Sequence, residues 1–225
     1  MQRLAVAVLL VGAFLETPDA QAARTFTEGH DYVRLPQPQS TTVLPGKVEV
    51  MEVFSYGCPA CNTFEPKMNA LRRALPANAQ LVLLPAAFMT AEDWPMFQRA
   101  YFAAQFLHVA EQAHQGIFDA VWKTGELANI DSQTHRLKSP QPTIEQAAQA
   151  YARWTGVKSA DFLAMARSFT VDARMRAADE QVMAMQVPGT PCIVVNGRYR
   201  VADGIRSADQ LIPLVRFLIA KDGPH

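Results

Sequence analysis

The sequence predicts an α/β protein: a mixed central sheet flanked by helices, built as one fold and interrupted by an all-helical insertion. Three observations predict it. Short apolar, β-branched runs at Lys47–Ser55, Gln80–Leu84 and Cys192–Val195 read as buried strands. Helical spacing of apolar residues dominates elsewhere, from Pro59 to about Leu75 and again from Trp94 to about Phe169. The strands fall on both sides of that long helical block, which favours an insertion into one fold over two consecutive domains.

Taken in order, the first stretch stands outside that fold. Arg3 and the amino terminus supply positive charge, Leu4 to Leu15 is apolar, and Ala20-Gln21-Ala22 fits a small-residue cleavage site. That order marks residues 1–22 as a secretory signal peptide, whose apolar run is too short to span a bilayer. No other stretch approaches ~18 uninterrupted apolar residues, so stable membrane insertion of the mature chain is not expected. Arg24 to Gly46 is polar and carries Pro36, Pro38 and Pro45, leaving room for one edge strand. The strand Lys47–Ser55 meets a tight Tyr56-Gly57 turn, after which Pro59 suits a first helical position. Phe64, Met68, Leu71 and Leu75 mark one helical face, with Pro66 expected to kink it.

Beyond the second strand, Phe97, Tyr101, Ala104, Phe106, Leu107 and then Ile117, Phe118, Val121, Trp122 keep helical spacing, an aromatic stripe expected in the core. Thr143 with Gln146 forms a capping box, Ser159 reads as another N-cap, and Ser132 to Pro142 is the long polar linker of the block. A helix from about Val171 to Met185 leads to the Val187–Pro191 turn and the strand Cys192–Val195. Asn196-Gly197 is a hairpin signal, and Ser207 caps a last amphipathic helix. The segments are therefore 23–92 and 170–225 for the two parts of the α/β domain, with 93–169 as the insertion.

Lys and Arg number 21 against 21 Asp and Glu, and without residues 1–22 the count is 20 against 19. So even a balance gives no electrostatic footprint for nucleic acid and no polybasic membrane anchor. Half the residues are apolar, enough for a sizeable core without disulfide staples. Only three cysteines occur, Cys58, Cys61 and Cys192, too few for a disulfide-stapled scaffold in an exported chain of this length.

Two of them stand as Cys58-Pro59-Ala60-Cys61. Cysteines at i and i+3 of a helix share a face and can close a small disulfide ring. At the helix N-terminus, unpaired backbone N–H groups and the helix dipole favour a thiolate at Cys58, while Cys61, one turn in, keeps a higher pKa. Cys58 is thus the attacking or attacked sulfur and Cys61 the one that resolves. A zinc site needs a second ligand pair, and the five histidines have no ligand-like spacing, so no metal and no cofactor is expected. A structural disulfide gains little from so short a loop. Cys192 reads as a small buried hydrophobe, and Met165, Met183 and Met185 as core or groove filler.

Phe54-Ser55-Tyr56-Gly57-Cys58-Pro59-Ala60-Cys61 resembles the active-site segment of the DsbA family, within the thioredoxin superfamily. Val187-Pro188-Gly189-Thr190-Pro191 resembles that superfamily's cis-proline loop, and Val195–Tyr199 the family's hairpin, so the resemblance covers essentially the whole mature chain. It implies a thioredoxin-like fold and a redox-active Cys58–Cys61 disulfide. It also implies a cis peptide bond at Pro191 and substrate contacts at Thr190, Pro59 and Ala60. Glu52 stands at the position of a buried acid that relays a proton for Cys61, a role that a desolvated carboxyl suits. The other placement of Glu52 is a strand end pointing to solvent.

Three positions depart from the family pattern. Pro66 matches thioredoxins more than the usual DsbA sequence, Leu83 falls near where some members carry a lysine beside the acid, and Ala60 replaces the commoner histidine. Loss of that histidine argues for a milder oxidant. The resemblance implies a periplasmic oxidoreductase, monomeric, that donates its disulfide to unfolded or newly exported cysteine-containing proteins. A membrane oxidant of the DsbB type would reoxidise it. The alternatives are a disulfide reductase or isomerase, and, from a different class, a thiolate metal-binding or chaperone module.

Overall fold

The computed structural model describes residues 25–204 and 207–222. The expected signal peptide lies outside the described residues. Five strands, β1 (Tyr32–Arg34), β2 (Val48–Phe54), β3 (Ala79–Pro85), β4 (Cys192–Val195) and β5 (Tyr199–Val201), form one sheet in the order β1-β5-β4-β2-β3. β2 and β3 are parallel, and the remaining pairs are antiparallel. All seven residues of β2 are buried, as a central strand covered on both faces requires.

Alternation along β2 divides the core. Val48 and Val50 join Phe64, Met68 and Leu71 of α1 (Pro59–Ala74) and Leu211, Leu214 and Leu218 of α7 (Ala208–Asp222). Met51 and Val53 face the other way, into Phe97 and Tyr101 of α2 (Trp94–Phe106) and Phe118 of α3 (Ala110–Trp122). The same cluster continues through Tyr151 of α4 (Ile144–Thr155) and Phe162 of α5 (Ser159–Ala166), stacked with ring centroids 4.8 Å apart. The helical block therefore has no apolar core of its own; it completes the core on one face of the sheet. Helix α6 (Phe169–Ala184) follows it and returns the chain towards β4.

Several expectations change in detail. Ser159 is the first residue of α5 rather than its cap; Lys158 takes the N-cap position, with no side-chain hydrogen bond. The block is less helical than its spacing predicts, because residues 123–143 lie outside helices, not only the polar linker at 132–142. Gly125 and His135 take positive φ there, and the Asp131 carboxylate accepts from the Gln133 and Thr134 N–H groups, local bonds that compete with a helix. A second break falls between α2 and α3, at His108 with φ 58°. Met185 is in the core but Met183 is 69% exposed, so it fills nothing. The Thr143–Gln146 capping box is formed as expected.

Asn196 and Gly197 have φ of 53° and 61°, the combination of a type I′ turn. At Gly197 the demand is double: a Cβ there would lie 2.2 Å from the Gln39 carbonyl oxygen, whose own residue donates its N–H to the Gly197 carbonyl. Gly197→Ala is expected to cost ~2 kcal/mol and lower Tm by roughly 4–8 °C. A thermal melt within about 1 °C of the parent would show that the turn relaxes freely.

Candidate active site

Strand β2 ends at Phe54 and hands the chain to a turn. The Cys58 N–H donates to the Ser55 carbonyl (3.1 Å) and the Gly57 N–H to Ser55 Oγ (3.2 Å). Cys58 is the N-cap of α1 in an extended conformation, and its sulfur accepts from the Cys61 N–H at 3.4 Å, the bond a Ser or Asp side chain makes at other helix starts. Pro59 occupies the first helical position, where its missing N–H costs nothing. Pro66 lies inside α1, which runs on through it.

The turn is braced by the insertion. Trp122 donates its indole N–H to the Tyr56 carbonyl at 2.8 Å. Trp94 packs so closely on Gly57 that a Cβ there would lie 2.6 Å from its Nε1, which explains a glycine without positive φ. Neither tryptophan was singled out in the sequence as a site residue; both sit in apolar helical spacing that reads equally well as core.

The second half of the site arrives from 132 residues later, where the Cys58 thiol donates to the Thr190 carbonyl at 3.4 Å. The Thr190–Pro191 bond is cis. Thr190 Oγ1 is buried beside the sulfur, whose ionised form it favours. Pro59 and Ala60 are exposed at the start of α1, and Pro59 lines an open cleft of about 530 Å³ with Trp122 and residues of the 123–138 segment. Thus Cys58, Cys61, Thr190 and Pro191 are brought together, with Pro59 and Ala60 at the rim.

The two sulfurs are electrostatically unequal. The Cys61 thiol hydrogen-bonds Cys58, and with the Thr190 side chain and the Cys61 and Ala60 backbone N–H groups it holds the Cys58 thiol down at about 6, against the opposing effect of burial. Burial drives Cys61 the other way, well above the ordinary thiol value, helped by Cys58 and Glu52. Glu52 is 2% exposed, so the solvent-pointing placement is overturned. Burial raises its carboxyl well above the usual range; Glu65 and Cys58 add to this and Arg72 opposes it. Its neighbour across the parallel ladder is Leu83, so no charge comes from β3 at that position. Cys192 is buried, its thiol pushed up to about 11 by desolvation, as suits a small hydrophobe. Among the described residues no group of three or more His, Cys, Asp or Glu could hold a metal ion.

A DSBA-like thioredoxin domain model matches residues 49–213. The chain belongs to this family. The DSBA-like chain is 31% identical over 223 residues to the thiol:disulfide interchange protein DsbA of Pseudomonas aeruginosa, covering 99% of this chain and 97% of that one. It is 32% identical to the DsbA of Pseudomonas syringae pv. tomato over 94% of this chain and 95% of that one. Among solved structures, oxidoreductase DsbA from Xylella fastidiosa superposes with a TM-score of 0.73 at 30% identity, over 87% of this chain and 96% of that one. Pseudomonas aeruginosa DsbA gives 0.71 at 32% identity, over 88% and 94%. The DSBA-like chain is a thiol–disulfide oxidoreductase with a thioredoxin-like fold.

Proposed function

We propose that the chain works as a disulfide donor in the periplasm, with Cys58 the sulfur exchanged with substrate and Cys61 the resolving sulfur. The observation that carries this reading is the Cys58 thiol held at about 6 while Cys61 is pushed up. A thiolate stabilised only in the reduced, folded protein makes the disulfide an oxidant. A substrate thiolate attacks Cys58 Sγ, the Cys58–Cys61 bond breaks, and Cys61 leaves with the electron pair and takes a proton from Glu52. A second substrate thiolate then attacks the substrate sulfur of the mixed disulfide and releases Cys58 as a thiolate. The substrate dithiol is oxidised by two electrons and the protein pair is reduced.

In this reading Thr190 and Pro191 offer the backbone against which an extended substrate aligns, and Pro59 and Ala60 form the exposed rim that it crosses. Substrates are unfolded or newly exported proteins with cysteines, and a membrane oxidant of the DsbB type restores the disulfide. Residues 1–22 serve as the export signal, 23–92 and 170–225 as the two parts of the thioredoxin-like domain, and 93–169 as its insertion. No helix among the described residues is long and apolar enough to cross a membrane.

Equilibration with glutathione tests the direction. Thioredoxin, with a cysteine near 7, lies at ~−270 mV and DsbA, near 3.5, at ~−120 mV; a Cys58 value between theirs places this pair between those potentials. A potential at or below ~−270 mV would make the protein a reductant.

Glu52→Gln tests the acid. Because its folded pKa is raised, the carboxyl favours folding only while protonated, and that contribution is lost as pH rises through the folded value. The variant is therefore expected to melt higher than the parent above neutral pH and to match it near pH 4. It should also release Cys61 roughly 10–100-fold more slowly. Unchanged exchange rates across the pH range would remove Glu52 from the mechanism.

A further inference from the structure

The cleft of about 530 Å³ beside the cysteine pair opens on the side of the insertion. Pro59 forms one wall, so the cleft begins one residue from Cys58. Val121 and Trp122 of α3, with Ala128 and Ile130 beyond it, supply the other apolar walls. The volume falls within the ~300–1,000 Å³ of pockets that bury small ligands, room enough for an aromatic side chain. Its walls are held in place. Asn129, 1% exposed, donates its amide to the Glu92 carbonyl at 2.7 Å, and a β-bridge pairs Ile130 with Leu137. Trp122 is fixed by its indole N–H on the Tyr56 carbonyl, in the turn that carries Cys58.

The lysines and the carboxylate around the cleft are engaged locally. Lys123 Nζ meets the Asp119 carboxylate at 2.9 Å, and Lys138 Nζ donates to the Gly125 carbonyl at 2.8 Å. Asp131 accepts from the Gln133 and Thr134 N–H groups at 3.0 and 2.7 Å. What these leave to meet a ligand is chiefly apolar surface and the Trp122 ring. On the Pro191 side, among the described residues, the depression lined by Phe64, Pro191 and Ile193 holds only about 20 Å³. That is room for a water and not for a side chain. An apolar side chain on a substrate joined to Cys58 therefore finds its room towards the insertion.

We propose that this cleft is a substrate subsite: it takes one large apolar side chain, aromatic for preference, of the polypeptide whose cysteine exchanges with Cys58, on the flank that runs away from Thr190. At ~3.3 Å per extended residue, that side chain stands about two to four residues from the cysteine. The inference deepens the disulfide-donor reading above and rests on it. Its occupant is an unfolded chain. Folding hides most large apolar side chains, so a cysteine with one still exposed nearby belongs to a protein that has not closed its core. A folded protein with a surface cysteine offers the cleft nothing to bury. The subsite thus adds a selection for unfolded partners that the reactivity of Cys58 alone does not make.

Single-cysteine peptides test it. Each has glycine on both sides of its cysteine and carries either Phe or Gly a few residues away, on one flank or the other. Two peptide thiols reduce one Cys58–Cys61 disulfide and leave as a peptide disulfide, so the loss of oxidised protein is read by intact mass after acid quenching. In the parent, Phe on one flank is expected to raise the second-order rate roughly 10-fold over Gly, and Phe on the other flank to change it less than about twofold. Ala128→Trp fills the cleft and should bring that Phe-to-Gly ratio to about one. I130N puts an amide into the apolar wall and should lower the ratio about threefold, which keeps the test available if A128W does not fold. Equal preference on both flanks, or a preference that survives both variants, would overturn the subsite. Failure of the parent to oxidise either peptide counts against the donor function itself. Oxidation of the Gly peptide with no preference for Phe counts against the subsite alone.

Discussion

Cys58→Ser is expected to reduce disulfide transfer to the uncatalysed background, whereas Cys61→Ser leaves a protein that accumulates covalent complexes with its substrates. The asymmetry follows from the two sulfur environments. With the Cys58 thiol at about 6, roughly nine-tenths of it is thiolate at pH 7, and only the thiolate attacks or departs readily. Cys61 is buried in α1 behind it and is held protonated, so it does not replace Cys58 as the exposed partner. When the reduced pair attacks a disulfide, Cys61 resolves the resulting mixed disulfide from one helical turn away, and without it that complex waits for another thiol. Non-reducing gels and intact mass after incubation of the reduced variants with a peptide disulfide, which the Cys58 thiolate attacks, read the outcome. Equal trapping by both single variants would sink the division of roles.

The second large effect is on stability. A thiol whose folded pKa is lowered to about 6 contributes stability that is complete above its unfolded value, near 8.5, and lost as pH falls through 6. This contribution exists only in the reduced protein. The stability of the reduced form relative to the oxidised form should therefore rise by about 2 kcal/mol between pH 5 and pH 8, allowing for solvent at the sulfur. Closing so short a ring constrains the unfolded chain by only ~2 kcal/mol. The oxidised form is accordingly expected to melt higher at pH 5 and the reduced form to draw level or overtake it by pH 8. Calorimetric melts of both forms at the two pH values check this. A difference that does not move with pH would mean that Cys58 is an ordinary thiol in the folded protein.

Much of this site is legible in the sequence because it is local. Cys58-Pro59-Ala60-Cys61 follows an apolar strand and opens a helix, and each of those signals comes from neighbours in the chain. Asn196-Gly197 and the Thr143–Gln146 box are local for the same reason. Glu52 was legible as a buried acid from its place in an apolar strand and from the family resemblance, but what buries it, β3 and β4 on either side, lies far along the chain. What the sequence hid is what acts across elements. Tyr56 and His114 meet over 58 residues and Trp122 reaches Tyr56 over 66, and no periodicity connects them. His114 reads as one of five scattered histidines, and Glu65 as a polar residue beside the apolar stripe of α1. Ser159 misled because a hydroxyl one residue inside a helix has the same local pattern as a cap.

The distance along the chain between Cys58 and Thr190 has a consequence for biogenesis. Strand β4 enters the sheet between β2 and β5, pairing Val53 with Cys192, so the sheet closes only after a loop of well over a hundred residues has been drawn shut. Loop-closure entropy makes such pairing a late event in folding. A chain emerging amino terminus first presents its Cys58-Pro59-Ala60-Cys61 segment long before residue 190 exists to face it. Until then the sulfurs lack the Thr190 contacts that help hold Cys58 ionised, and they behave as thiols of a nascent polypeptide. The catalyst is thus, for the first part of its own life, chemically one of its substrates.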